Sequence, residues 1–285
     1  MFKHILVPIS SEFYSKTVIH RSIFLAETFQ STVHIMYILE DNPIQQMEKL
    51  IDTHLTHYNR NETHQELIEK QQSTLETIIR DEVQPLFKKK SIPMKYTFTQ
   101  GELSNSLQKE LENSSYDLII IGYEKQCMID YRFIDEITTP IWIEGGGYNQ
   151  SILAVCSNLA PNQKVPEVSK ILSDIFDWKL SMLYIIDTQD NVEVDVNGKR
   201  SIKKPIRDLE SAGKHFTQEM KEQQINVKTV QGSIEQQTIK EANKMEAGLV
   251  IMGREQKQKG MLGFPVKNTK QKITERCKYS ILFLN

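Results

Sequence analysis

The sequence predicts an α/β protein with two doubly wound, five-stranded parallel sheets, each carrying helices on both faces. Three observations lead to this. Short apolar runs alternate with segments of helical period along the chain. Runs such as Asp117-Leu-Ile-Ile-Ile-Gly122 are continuously apolar, as in a strand covered on both faces. The same order of runs occurs twice, and 285 residues with 39% hydrophobic content suit two medium cores.

The elements follow in order. His4-Ile-Leu-Val-Pro-Ile9 is a buried strand that passes into the polar pair Ser10-Ser11. From Ser15 to Phe29, Val18, Ile19, Ile23 and Leu25-Ala26 recur at helical spacing, and Val33 to Leu39 is a second strand. The polar stretch Ile44 to Lys90, with Met47, Leu50, Leu67, Leu75 and Ile79 at intervals, predicts long helix, broken near Asn59 to Asn61. Met94 to Thr99 is a third strand ended by Gly101, Leu103 to Leu111 a helix, Asp117 to Gly122 a fourth strand and Pro140 to Ile143 a short fifth. Gly145-Gly-Gly147 breaks the periodicity and reads as a linker.

Ser151 to Ser157 then repeats the opening strand and its serine. A helix near Val165 to Phe176, a strand Ser181 to Ile186, a helix near Ile202 to Glu222, a strand Ile225 to Val230 and a final strand Ser280 to Leu284 complete a second set. The repeat has a register: Gln100-Gly101 through Gly122 aligns without gaps on Gln231-Gly232 through Gly253, an offset of 131. Ile38 matches Ile185 at an offset of 147, so the first half is longer by 16 positions between its second and third strands. The expected domains are residues 1–146, with a long helical insertion, and residues 151–285.

Composition excludes several classes. Lys and Arg number 35 against 37 Asp and Glu, a net charge of -2, so no broad positive field favours nucleic acid or an anionic membrane. No run approaches a bilayer span and no signal-peptide pattern opens the chain, which reads as cytoplasmic. Cys127, Cys156 and Cys277 lack paired metal-ligand spacing and read as buried or partly buried free thiols. His54, His57 and His64, with Glu62 and Glu66, are a nameable metal constellation without a complete ligand set, and read as a solvated helix surface. His4, His20 and His34 lie on elements expected to pack and read as structural. No Gly-x-Ser-x-Gly elbow, dinucleotide fingerprint or Walker-type Gly-Lys-Ser/Thr occurs. Around Asn197-Gly198 a small hairpin or exposed loop is expected.

The opening Ile5-Leu-Val-Pro-Ile9, the Asp117-to-Gly122 strand after a Gly101-led helix and the closing Thr139-Pro140-Ile-Trp-Ile143 resemble the universal stress protein (UspA-like) family, and the resemblance covers both halves. It implies an adenine nucleotide alpha hydrolase-like fold, a stress-response role, and pairing of the two halves as a pseudo-dimer, or of two chains as a homodimer. It also implies ATP or AMP at the carboxyl ends of the strands. Family members that bind ATP use an aspartate after the first strand and a loop of Gly, two residues, Gly, nine residues, then Gly with Ser or Thr. In that loop, glycines let backbone N–H groups approach phosphates.

Carried over by position, the first site comprises Ser10, Ile38, Gly101 and Gly122, and the second comprises Ser157, Ile185, Gly232, Gly253, Gly260, Gly263, Lys267, Asn268 and Thr269. Both depart from the pattern. Ser10 and Ser157 replace the aspartate and bring no charge. Only 18 positions separate Gly122 from Pro140, against 27 from Gly253 to Ser280, so the first half lacks room for the loop. In the second half Gln256 replaces the second glycine, and nine residues after Gly263 the count reaches Ile273. Lys257, Lys259 and Lys267, with Asn268-Thr269 as a helix cap, leave a divergent anion site open. The expectation is a regulatory or stress-response protein that binds a ligand or partner, without a catalytic constellation. The alternatives are an adenine nucleotide-binding protein or weak ATP hydrolase using the second-half loop, and a structural role in which the second cleft is filled by its own side chains.

Overall fold

The computed structural model describes residues 1–10, 15–39, 69, 72–122, 137–146, 149–160, 162–195, 199–254, 273–274, 276 and 278–284. The chain divides into two compact units, Met1–Cys127 and Met128–Asn285.

The first unit runs β1 (His4–Ser10), α1 (Lys16–Phe29), β2 (Thr32–Leu39), a helical run over 72–78, a π-helical turn (Ile79–Val83), α2 (Gln84–Lys89), β3 (Met94–Gln100), α3 (Leu103–Asn113) and β4 (Leu118–Gly122). Its strands lie in the order β3-β2-β1-β4, with parallel pairing of β1 to β2 and β4 and of β2 to β3. The described part of the predicted helical segment is helical, and its π-turn has a local cause. Pro85 has no N–H to give to the residue four before it, and its ring crowds that carbonyl, so the preceding turn widens. The break expected near Asn59 lies outside the described residues.

The second unit comprises β5 (Ile141–Glu144), β6 (Ser151–Ser157), α4 (Lys164–Phe176), β7 (Lys179–Ile186), α5 (Ile206–Glu222), β8 (Val227–Gln231), α6 (Ile234–Met245), β9 (Leu249–Gly253) and β10 (Ser280–Leu284). The strand order is β5-β10-β9-β6-β7-β8, parallel from β10 to β8. β5 pairs antiparallel with β10, Trp142 opposite Leu282. α5 starts at Ile206, four residues later than its sequence pattern suggests. Pro205 fixes an extended residue at the helix entrance, and the backbone before it is tied elsewhere, Ser201 N–H to Glu193 and Lys204 N–H to Asn191.

The two sequence offsets recur as strand registers. His4 pairs with Thr32 in β1–β2 and Ser151 with Lys179 in β6–β7, each 147 positions on. Ile5 faces Leu118, and Ile152 faces Leu249, so one partner moves by 147 and the other by 131. Ile35 faces Tyr96, and Met182 faces Val227, by the same two offsets. The 16-residue difference is thus absorbed between strands, because a slip of one residue inside a sheet would move every side chain of the strand to the opposite face and unmake the packing on both. The central strands supply the cores: Ile5, Leu6 and Val7 with Leu118 to Ile120 in one unit, and Ile152, Ala154 and Val155 with Leu249 to Ile251 in the other, all fully buried.

Candidate functional site

In an open parallel sheet the carboxyl strand ends expose the backbone groups and loops that bind ligands. At that edge in the first unit, Ser10 ends β1 opposite Ile38 in β2. Gly101 closes β3 with a φ of +137°, a conformation open to glycine, and its N–H donates to Leu39. A Cβ at Gly122 would stand 2.9 Å from a Val18 methyl, so this glycine lets α1 lie close to β4. A cavity of about 160 Å³ opens beside these residues between Tyr37, Leu39, Phe98, Gln100, Gln72 and Leu75.

The second unit brings Ser157 opposite Ile185, with Gly232 at φ +134° donating its N–H to Ile186 and Gly253 ending β9. These four share one edge. Gly260, Gly263, Lys267, Asn268 and Thr269, with Lys257 and Lys259, lie outside the described residues, as do His54, His57 and His64. Among the described residues no group of three or more His, Cys, Asp or Glu is placed to hold a metal ion, and no helix is long and apolar enough to cross a membrane.

Ser157 is fully buried, and its polar groups are taken by its own loop. Its Oγ accepts the Leu159 N–H at 3.2 Å, while Asn162 bonds both its N–H (3.0 Å) and its carbonyl (2.9 Å). The hydroxyl therefore stabilises the turn after β6, as serine and asparagine commonly do.

Sequence reasoning missed the residues that dominate this edge. Asn158 is buried; its Oδ1 accepts the Asp187 N–H at 2.6 Å and its Nδ2 donates to the Val192 carbonyl at 2.7 Å, so it ties the β6 end to the segment after β7. The Asn158 carbonyl in turn accepts the Val194 N–H at 2.7 Å. The Asp187 carboxylate, also buried, accepts the N–H groups of Gln189 (2.8 Å) and Asp190 (3.2 Å) through Oδ1 and that of Ile234, the first residue of α6, through Oδ2 at 2.7 Å. An anion thus already sits at the α6 N-terminus, where the free N–H groups and helix dipole favour one. The signal was present in sequence as a lone Asn directly after the Ser157 that ends one strand and a lone Asp directly after the apolar run of the next.

Residues 187–195 and 199–204 form a strap over this edge. Val194 and Arg200 make an antiparallel bridge around the expected Asn197-Gly198 turn, itself outside the described residues, and Val192 and Val194 are buried. Arg200 pairs with Asp190 at 2.6 Å and Lys204 with Glu193. A polar cavity of about 650 Å³ lies between this strap and Asn162-Gln163, and the paired cations offer it little net positive charge. Beneath the strap, burial, with Glu193 nearby, pushes the Tyr184 hydroxyl pKa up. Burial likewise pushes up the pKa of the Cys156 thiol, which makes it unreactive as expected of a structural cysteine.

Arg254, directly after Gly253, is also buried, and its Nη2 donates to the carbonyls of Ile137 (2.5 Å) and Thr139 (2.8 Å). It holds the approach to β5 with a guanidinium at the place where a phosphate loop would begin.

Residues 1–134 match the universal stress protein family. No curated protein matches the sequence. Among solved structures, a universal stress protein from Archaeoglobus fulgidus is similar over 98% of this chain and 98% of its own, with 11% identity and a TM-score of 0.62. A putative universal stress protein from Pseudomonas aeruginosa aligns over 99% of this chain and 93% of its own, with 12% identity and a TM-score of 0.63. At such identities the likeness shows the fold. The chain therefore carries a universal stress protein family domain over residues 1–134 and has, from end to end, the α/β fold of those proteins.

Proposed function

We propose that this chain is a stress-response protein of regulatory type that acts by binding a ligand or partner, not by turnover, and that the nucleotide motif is degenerate in both halves. The observation that carries the reading is Asp187. Its carboxylate holds the Ile234 N–H at the mouth of the second-half cleft, and Asn158 anchors the strap across the same edge. An anionic group approaching the N-terminus of α6, at the same carboxyl edge, would meet a like charge already hydrogen-bonded there. The serine at each aspartate position supports the same reading, as does the short interval after Gly122. The antiparallel β5–β10 pair, which joins the closing strands of the two repeats, supports a pseudo-dimer within one chain; a cytoplasmic location fits the absence of an apolar span among the described helices.

Calorimetric titration with ATP and with AMP tests this, with a Lys267→Ala/Asn268→Ala variant as control. The expected result is no saturable heat and no thermal shift. Saturable ATP binding lost in the double variant would replace this reading with nucleotide binding by the second half, and release of inorganic phosphate at a rate above background would make the protein a hydrolase.

A further inference from the structure

The opposite, amino-terminal edge of the first unit carries a cavity of about 400 Å³, within the range of small-molecule sites, about 300–1,000 Å³. Its apolar wall comes from Ile5, Val33, Pro93 and Met94, the first two fully buried. Its polar wall is His34 and Tyr116, with Lys95 and Ser115 exposed at the rim. The carboxylates of this region are held by other groups. Asp117 accepts the N–H groups of Lys3 (2.7 Å) and His4 (2.9 Å), and Glu110 accepts the Tyr116 hydroxyl. Among the described residues, no carboxylate lines the cavity.

The polar wall is set in position. The Tyr116 hydroxyl donates to Glu110, so its oxygen is left to accept from His34 Nδ1, 2.5 Å away; His34 Nε2 then accepts the Thr97 hydroxyl at 2.8 Å. The two rings stack with centroids 5.9 Å apart. A chain from α3 through the β4 approach to β2 and β3 thereby fixes the rings that face the cavity, as second-layer hydrogen bonds do in binding sites.

From the apolar wall, the basic rim and the absence of lining acids, we infer that this cavity is a second ligand site, for a small, largely apolar molecule with a single carboxylate. The apolar body fills the Val33–Met94 wall, and the carboxylate reaches Lys95 and the Ser115 hydroxyl. The site lies in the first unit alone and is independent of the cleft at the carboxyl edge.

1-Naphthoate and its uncharged amide, 1-naphthamide, are suitable probes, titrated into the full chain while the His34 and Tyr116 ring signals are followed by NMR. The expected result is saturable naphthoate binding that shifts both rings, about tenfold tighter than the amide, in line with one charge-assisted contact. Lys95→Met should bring acid and amide to about equal affinity. Ser115→Trp, an exposed change that fills the mouth, should abolish binding of both, and ATP should leave both ring signals unmoved. Equal affinity of acid and amide in the wild type, unmoved His34 and Tyr116 signals at saturation, or undiminished binding to Ser115→Trp would each overturn the site.

Discussion

Asn158 shows how much one side chain can hold. Replacing it with alanine leaves the Asp187 N–H and the Val192 carbonyl without their partner in a buried setting, at a cost of about 1–3 kcal/mol. Asn158→Ala should lower the denaturation midpoint accordingly and speed proteolytic cleavage within 188–204, with cleavage elsewhere less changed. A second residue sets a pH dependence. Burial, then the Lys95 charge, hold the His34 pKa below the ordinary imidazole value of about 6.5, with Glu110 opposing. The unfolded chain therefore takes up a proton at this position before the folded one does, and stability falls as pH drops below 6.5 until the folded imidazole also titrates. The melting temperature of the wild type should drop more steeply from pH 6.5 to pH 5 than that of His34→Gln; equal slopes would remove His34 as the cause. That His34 would be a satisfied buried group was legible from its place in an apolar run. Its partners Tyr116, Glu110 and Thr97 were not, because periodicity gives a face and a direction but no distance between residues 63 to 82 positions apart.

Elements were legible where burial imposes a period. Every strand of both repeats stands within two residues of its sequence pattern: the central ones are continuous apolar runs with few other places to go, and the largely exposed β3 and β8 are bounded by Gly101 and Gly232. Of the strap only the hairpin that Val194 and Arg200 close was legible; its anchoring was not, because it comes from side-chain bonds to Asn158 and Asp187 and from backbone bonds such as that of Lys204 N–H, none of which leaves a periodic trace. The paired glycines that open α3 and α6 were legible and have a conformational cause. Gly232→Ala forces a side chain onto a φ of +134° and should cost about 1–3 kcal/mol by denaturant melting. The neighbouring Gln237 amide, 2.8 Å from the new Cβ, can swing away, so the strain is in the backbone. The β5–β10 pair rests on a buried polar group. Glu144 accepts from Trp142 Nε1 at 2.8 Å and from Ser280 Oγ at 3.0 Å, and Gly146 N–H also reaches it at 3.3 Å. Glu144→Leu should strand these three donors and weaken this pair more than the strands on the far side of the sheet, as hydrogen exchange at Ile281 and Phe283 against Met182 would register.

At the scale of the molecule, duplication was readable from two constant offsets, and the registers preserve both. What the offsets do not contain is the exchange at the end: β5 closes the first repeat in sequence yet pairs with β10 in the second unit. A fragment of residues 147–285 would leave β10, apolar and buried along its whole length, as an open edge, the arrangement that invites strand-to-strand association. Sedimentation should find that fragment more self-associated than a 128–285 fragment, in which β5 covers β10. The Asp187 carboxylate has a consequence of a different kind. Joined covalently to the helix end it serves, it is a ligand that dilution does not remove, present at the millimolar or higher effective concentration of a tethered group. A free anion entering there must outcompete a resident that never leaves the vicinity, so its apparent dissociation constant rises in proportion to that local concentration. Opening the strap, which moves Asp187 away, would lower the threshold for entry without altering a single contact the newcomer makes.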